Sequence, residues 1–256
     1  MKILGVIPAR MASTRFPYKP MASIMGIPMI GHCYIRSKMC SLLDEVYVAT
    51  CDIEIYDYIE SIGGKAVMTA DTHERASERS AEALLNIEKE LSGQQFDIVV
   101  MIQGDEPLIN PEMISEAVTP LINGKNMVAN LMAPLLTEEE RINPNNVKVV
   151  ADINGNAIYM SREPIPSKKK FSGCLPSFRQ LGLIAFTREA LLKFVHLETT
   201  PLEIYESVDM NRFLEHRVPI QMIVTKFEAD SVDTPDDLKR VDAKMLHDPL
   251  FQSYSK

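Results

Sequence analysis

Apolar residues come in short continuous runs along the first half of the chain, and segments with helical spacing lie between them. Ile3 to Ile7 is the first run, followed by Glu45 to Thr50, Lys65 to Met68 and Asp97 to Ile102. Helical periodicity fills Met29 to Met39, Asp52 to Ser61 and Glu78 to Leu91. Pro111 opens a further helix, since proline suits the first turn, where its missing N–H would have no intrahelical partner. Continuous rather than alternating apolar runs mark strands buried on both faces. The alternation predicts an α/β fold: a mostly parallel sheet with helices on both faces, Rossmann-like.

The pattern changes after Leu131. Val147 to Asp152 and Ala157 to Met160 flank Ile153-Asn154-Gly155-Asn156, which predicts a hairpin, with Asn-Gly supplying the positive φ values of its turn. Pro164 to Phe178, rich in Pro, Ser and Gly and carrying Lys168-Lys169-Lys170, reads as an exposed loop. Leu181 to Phe186 and Ile220 to Thr225 read as strands. Thr187 to Phe194, Leu202 to Leu214 and Thr234 to Met245 read as helices.

Composition narrows the function more than the fold. The 256 residues are 46% hydrophobic and 24% charged, an ordinary globular balance that excludes a disordered chain. A formal net charge of -8 repels a polyanion, so nucleic acid is excluded as partner, while a local basic pocket can still take a small anion. The cysteines Cys33, Cys40, Cys51 and Cys174 form no C-x-x-C pair and read as reduced thiols. The opening residues lack the longer apolar region of a signal peptide, and no apolar run reaches the ~18 residues of a membrane span. A cytoplasmic location with no membrane partner is expected.

Ligands of parallel sheets bind beyond the carboxyl ends of the strands, near the switch in strand order, which directs attention to the loops after Ile7 and Ile102. The first loop holds Arg10, Arg15 and Lys19. Several cations around one loop suit a triphosphate, in binding and in the transition state, although such charges can also simply be solvated. There is no G-x-x-x-x-G-K-[ST] loop. The second loop is Gln103-Gly104-Asp105-Glu106-Pro107, whose Asp105 is placed to hold Mg²⁺ against phosphate oxygens. In Val232-Asp233-Thr234-Pro235-Asp236-Asp237, the Thr-Pro-acid pattern caps a helix and accounts for every acid but Asp233, the candidate second metal ligand. Arg162, ending Tyr159-Met160-Ser161-Arg162, suits a carboxylate clamp or a surface ion pair.

Taken in order, I-P-A-R-x-x-S-T-R-x-P-x-K-P, Q-G-D-E-P, Asn143 to Val150, Y-M-S-R and V-D-T-P-D-D-L resemble the 3-deoxy-manno-octulosonate cytidylyltransferases over roughly Met1 to Met245. The resemblance implies CTP as donor, Mg²⁺ as cofactor, an acidic sugar as acceptor, release of pyrophosphate, a homodimer and a role in surface polysaccharide synthesis. It implies that Arg10 and Lys19 hold the triphosphate, that Gln103 lies in the acceptor or base pocket, that Asp105 and Asp233 hold the metal and that Arg162 faces the acceptor's carboxylate. Arg15, Arg75, Ser77, Gln180, Glu203 and Asp209 complete the expected substrate contacts. Residues 1–256 are then one cytidylyltransferase domain. Residues 1–135 form its nucleotide-binding part, 136–225 a smaller acceptor and dimerisation lobe, and 226–256 a helical end returning to the main sheet.

The chain departs from the family pattern in a group of positions. Tyr18 stands where Gly is usual, Arg75-Ala76-Ser77 where Ser-Gly-Thr is usual, Gln180 for His, Ile184 for Tyr and Asp209-Met210 for Glu-Gln. Apart from Tyr18, the presumed phosphate and metal positions are kept; the presumed acceptor positions change together. Lost hydroxyl-binding groups and a new guanidinium suit KDO less than an acceptor with an additional anion: an amino-sugar acid, a phosphonate or a phosphorylated compound. A nucleotide-sugar glycosyltransferase or a nucleotide sensor fits less well, because neither needs the basic loop and both acids.

Overall fold

Strands form where the chain can bury both faces, and in the computed structural model, which describes residues 1–12, 16–124, 126–170, 173 and 176–255, the first is β1 (Ile3–Ala9). Its Leu4, Val6 and Ile7 are fully buried. A small hairpin, β2 (Ser23–Ile24) and β3 (Ile27–Pro28), turns through Met25 and Gly26, both at positive φ. Then follow α1 (Met29–Lys38), β4 (Glu45–Thr50), α2 (Ile53–Ser61), β5 (Ala66–Met68), α3 (Ala76–Glu90), β6 (Ile98–Met101) and α4 (Pro111–Ile122). The chain divides into two compact units, Met1–Ser115 with Ala229–Lys256, and Glu116–Glu228, so the division falls within α4. The family resemblance places these boundaries near 135 and 226.

The first unit carries the parallel sheet. Its order is β6-β1-β4-β5, with β1 paired to β4 on one side and β6 on the other. The chain moves outward from β1 through β4 to β5, then returns across to β6. The order therefore reverses between β1 and β6, the place where a parallel α/β sheet opens a crevice at its carboxyl edge. Two terminal helices, α9 (Pro235–Met245) and α10 (Pro249–Tyr254), pack Val241, Met245 and Phe251 against Ile24, Met29 and Val232. Arg36 on α1, 1% exposed, grips this end: its Nε donates to Ile109 O at 2.7 Å and its two Nη atoms reach Asp248 at 3.0 and 3.2 Å.

The second unit holds β7 (Val128–Leu135), α5 (Glu138–Ile142), β8 (Lys148–Ala151), β9 (Ala157–Ser161), β10 (Ser177–Thr187), α6 (Arg188–His196), α7 (Pro201–Glu206), α8 (Met210–Glu215) and β11 (Gln221–Val224). β11 runs parallel to β7, whereas β7, β10, β8 and β9 pair antiparallel in that order. The expected hairpin forms, but its turn differs: only Gly155 takes a positive φ, and Asp152 Oδ1 accepts from the N–H groups of Asn154 and Asn156, both at 2.8 Å. A carboxylate organising a turn in this way replaces the twin left-handed residues of an Asn-Gly turn. The single helix predicted over 202–214 is two helices, broken at Ser207 with φ 51. Absent from the sequence prediction are the β2–β3 hairpin, β7, α5 with its Thr137–Glu140 capping box, and α10. Among the described residues, no helix is long and apolar enough to cross a membrane.

Candidate active site

The reversal between β1 and β6 places the two suspect loops together. Ile102 N donates to Val6 O at 2.9 Å, so the chain leaves β6 beside the last turns of β1. Gly104 allows the next step: a Cβ there would meet Pro8 O at 3.0 Å and Ile30 Cδ1 at 3.2 Å. Glycine lets Gln103-Gly104-Asp105 lie against Pro8-Ala9-Arg10 without that crowding. A cavity of about 390 Å³ opens there, lined by Arg10, Lys19, Gln103 and Asp105 on one part and by His73, Arg75 and Arg79 on another. Arg10 leans on the second part through Nη1 and His73 O, 3.4 Å apart.

Asp233 reaches the site from the far end of the chain. Val232 N donates to Asp105 O at 2.9 Å, which pins the strand-like approach to α9 beside the acidic turn. Thr234 then starts the helix in a reciprocal box with Asp237, as the motif predicts. The carboxylates of Asp105 and Asp233 converge on one ammonium: Lys19 Nζ lies 2.6 Å from Asp105 Oδ2 and 3.4 Å from Asp233 Oδ1. Burial works against the charged lysine, and the two carboxylates outweigh it and leave its pKa raised. Two hard oxygen donors converging on a cation are what Mg²⁺ takes from a protein when phosphate and water supply the other ligands. The pair therefore fits a divalent metal. Among the described residues no cluster of three or more His, Cys, Asp or Glu side chains offers a self-sufficient site.

Two further side chains shape the cavity. His73 pairs with Glu82, whose pKa lies below the usual range because the Ala70 N–H and the His73 ring outweigh its burial. Arg79 is 3% exposed; its Nη1 donates to Thr69 Oγ1 and Ala70 O, while its Nη2 has no partner. A buried guanidinium N–H without an acceptor is costly. The spacing contained a signal for it: Arg79, Ala83 and Ile87 share one stripe of α3, and a charge in a buried stripe needs a reason.

The remaining predicted residues fall differently. Arg15 lies outside the described residues. Ser77 is fully buried and is not among the cavity's lining residues. Glu203, expected to touch substrate, is 1% exposed and held by Arg212 in a bidentate pair, Nε–Oε2 and Nη2–Oε1 both 2.7 Å. Both oxygens of the carboxylate are engaged by Arg212, and Glu203 is not among the cavity's lining residues. Arg162 donates through Nε to Glu206 O, through Nη1 to Pro144 O at 2.9 Å and through Nη2 to Ser207 O at 3.2 Å. It caps the carbonyls that end α7, which explains the break at Ser207 and leaves two N–H groups of its fork for any other anion. Gln180 donates to Asn130 Oδ1 at 2.8 Å, and the Asn130 amide in turn holds the carbonyls of Leu181 and Leu183 beside the bulge in β10. Asp209 is half-buried at the start of α8 and caps nothing with its side chain. Glu206, unassigned from the motifs, accepts from Tyr159 Oη, Ser161 Oγ and Arg162 N; these donations outweigh its burial and lower its pKa.

Relatives share this architecture. The cytidylyltransferase family model matches residues 4–222. The 3-deoxy-manno-octulosonate cytidylyltransferase of Geobacter metallireducens is 39% identical over 96% of this chain and 98% of its own. That of Trichlorobacter lovleyi is 39% identical over 96% of this chain and 99% of its own. The solved structure of CMP:2-keto-3-deoxy-manno-octonic acid synthetase complexed with CTP superposes with a TM-score of 0.88 at 31% identity, covering 96% of this chain and 99% of that one. The chain belongs to the cytidylyltransferase family, among the 3-deoxy-manno-octulosonate cytidylyltransferases.

Proposed function

We propose that the protein transfers CMP from CTP to the acidic sugar 3-deoxy-manno-octulosonate, releasing pyrophosphate. One observation carries the chemistry: the cavity at the β1–β6 reversal places Arg10 and Lys19 beside Gln103 and Asp105, with Asp233 joined through the same lysine. A bound Mg²⁺, held by Asp105 and Asp233, would neutralise phosphate charge and polarise the phosphorus under attack. Arg10 and Lys19 grip the phosphate oxygens, and Lys19 offsets the charge that grows on the departing pyrophosphate. Gln103 supplies neutral donors and an acceptor that orient the base or the acceptor hydroxyl.

Family membership supports the acceptor, and a specific observation supports a second reading. Arg75 stands in the cavity wall, flanked by His73 and Arg79. Arg75 and Arg79, two cations besides Arg10 and Lys19, suit an acceptor with an anion beyond its carboxylate. Pyrophosphate release with CTP separates the readings. If 3-deoxy-manno-octulosonate turns over with kcat/KM of about 10⁴ M⁻¹s⁻¹ or more, the first holds. If only an amino-sugar acid, a phosphonate or a phosphorylated acceptor reaches that range, the second does.

Two wider readings go with this one. The second unit exposes Leu136, Ile153, Ile158, Ile204 and Tyr205, each more than half accessible, and a homodimer through this lobe would cover such a surface. A cytoplasmic location fits an enzyme that consumes CTP.

A further inference from the structure

Lys19 bridges the acidic pair and also borders the cavity. Its Nζ sits between Asp105 and Asp233, 2.6 and 3.4 Å from their oxygens, with the three side chains 14%, 25% and 29% exposed. The same residue lines the cavity beside Arg10. The backbone beneath it is fixed: Lys19 N donates to Phe16 O, Met21 N to Tyr18 O and Ala22 N to Lys19 O, and Pro20 is buried. Only the four-carbon stem is left to move.

A divalent ion held by the two carboxylates would lie about 2.1 Å from each oxygen. The ammonium already fills that space. Two cations cannot share it, because like charges at such a distance repel strongly in a half-buried setting. The carboxylate pair also offers too few ligands by itself, since among the described residues no third metal-binding side chain joins it.

We propose that Lys19 is a resident counter-ion that closes the metal site until a triphosphate draws it away. Phosphate oxygens attract the ammonium into the cavity and supply the ligands the pair lacks. Metal and nucleotide binding are then coupled through one side chain, and the protein without nucleotide rejects the metal. The proposal rests on the assignment of the metal to Asp105 and Asp233.

The test uses Mn²⁺ alone, with no nucleotide, and follows free Mn²⁺ by electron paramagnetic resonance. Wild type, Lys19→Met, Asp105→Asn and the double variant are compared, each checked for folding by circular dichroism. Lys19→Met is expected to bind Mn²⁺ about tenfold or more tightly than wild type, the usual size of one like-charge effect at close range. Asp105→Asn in the Lys19→Met background is expected to remove that gain. Equal binding by Lys19→Met and wild type overturns the counter-ion proposal alone. Tight binding that survives Asp105→Asn overturns the metal assignment with it. Should Lys19→Met not fold, Lys19→Gln keeps a polar stem without the charge and must show the same gain.

Discussion

Glu203→Gln distinguishes a structural acid from a substrate-binding one. The substitution keeps the shape of the side chain and removes its charge. In the native protein Arg212 and Glu203 are 5% and 1% exposed, joined by two 2.7 Å bonds, with the guanidinium 4.2 Å from the centre of the Phe194 ring. Removing one charge leaves the other buried with half its acceptors. Breaking a buried pair in this way costs about 3–5 kcal/mol. For a chain of this size each kcal/mol lowers Tm by roughly 2–4 °C, so a drop of about 6–20 °C is expected. The assay is a thermal melt alongside kcat/KM for CTP, measured well below the variant's Tm. The structural role predicts a large Tm loss and kcat/KM within about threefold of wild type, because this carboxylate is buried against Arg212 and does not line the cavity. A Tm within about 2 °C of wild type, together with a tenfold or larger fall in kcat/KM, would refute the assignment and return Glu203 to the substrate.

Three other outcomes follow from the geometry. Asp105→Asn should lower kcat/KM by about 10²–10³, the usual worth of one preorganised charge in a transition state, and near-normal turnover would remove Asp105 from the metal site. Tyr18, 68% exposed at φ 58, should be replaceable by glycine with a gain of about 0.5–1 kcal/mol in urea unfolding, the relief of a left-handed backbone less the entropy cost of glycine; a loss would show that the tyrosine ring contributes. His32 is fully buried, and burial first, then Arg36, lowers its pKa below 6.5; its Nε2–H donates to Ile24 O and its Nδ1 accepts from Tyr254 Oη. The unfolded chain binds a proton that the folded one refuses, so stability is full above pH 6.5 and falls as pH drops below it, by up to about 1.4 kcal/mol per unit. His32→Gln should flatten that slope, and an unchanged slope would assign it to other groups.

The parallel half of the fold was legible because its strands are buried on both faces and read as unbroken apolar runs. Glu45–Thr50 is the clearest case, with predicted and observed bounds the same. β7 escaped notice because Asn130 and Pro134 interrupt its apolar run. Asn130 is nonetheless fully buried, since its amide satisfies carbonyls left open where β10 bulges. No periodicity reports a polar residue recruited to repair a neighbour's ladder. The break at Ser207 was hidden for a related reason: it depends on Arg162, 45 residues away, donating to its carbonyl.

The site shows the same division between position and partnership. Sequence order and a reversal in strand order suffice to bring Arg10, Gln103 and Asp105 to one cavity, because each lies within four residues of the end of β1 or β6, and Lys19 follows in the loop after β1. They do not say which charged groups remain available there. Arg162 and Glu203 carry the same chemistry as Arg79 and Asp105, yet three N–H groups of Arg162 go to the carbonyls of Glu206, Pro144 and Ser207, and both oxygens of Glu203 go to Arg212. Arg79 lines the cavity, and its buried Nη2 has no hydrogen-bond partner. What separates the two groups is saturation: a guanidinium has five N–H groups and a carboxylate two oxygens, and whatever the fold leaves unmatched can be matched by a ligand. Lys19 is the intermediate case. Its ammonium is satisfied by Asp105 and Asp233, but by the two residues that have a better use for a divalent ion, so its contact is the one a substrate phosphate is best placed to exchange.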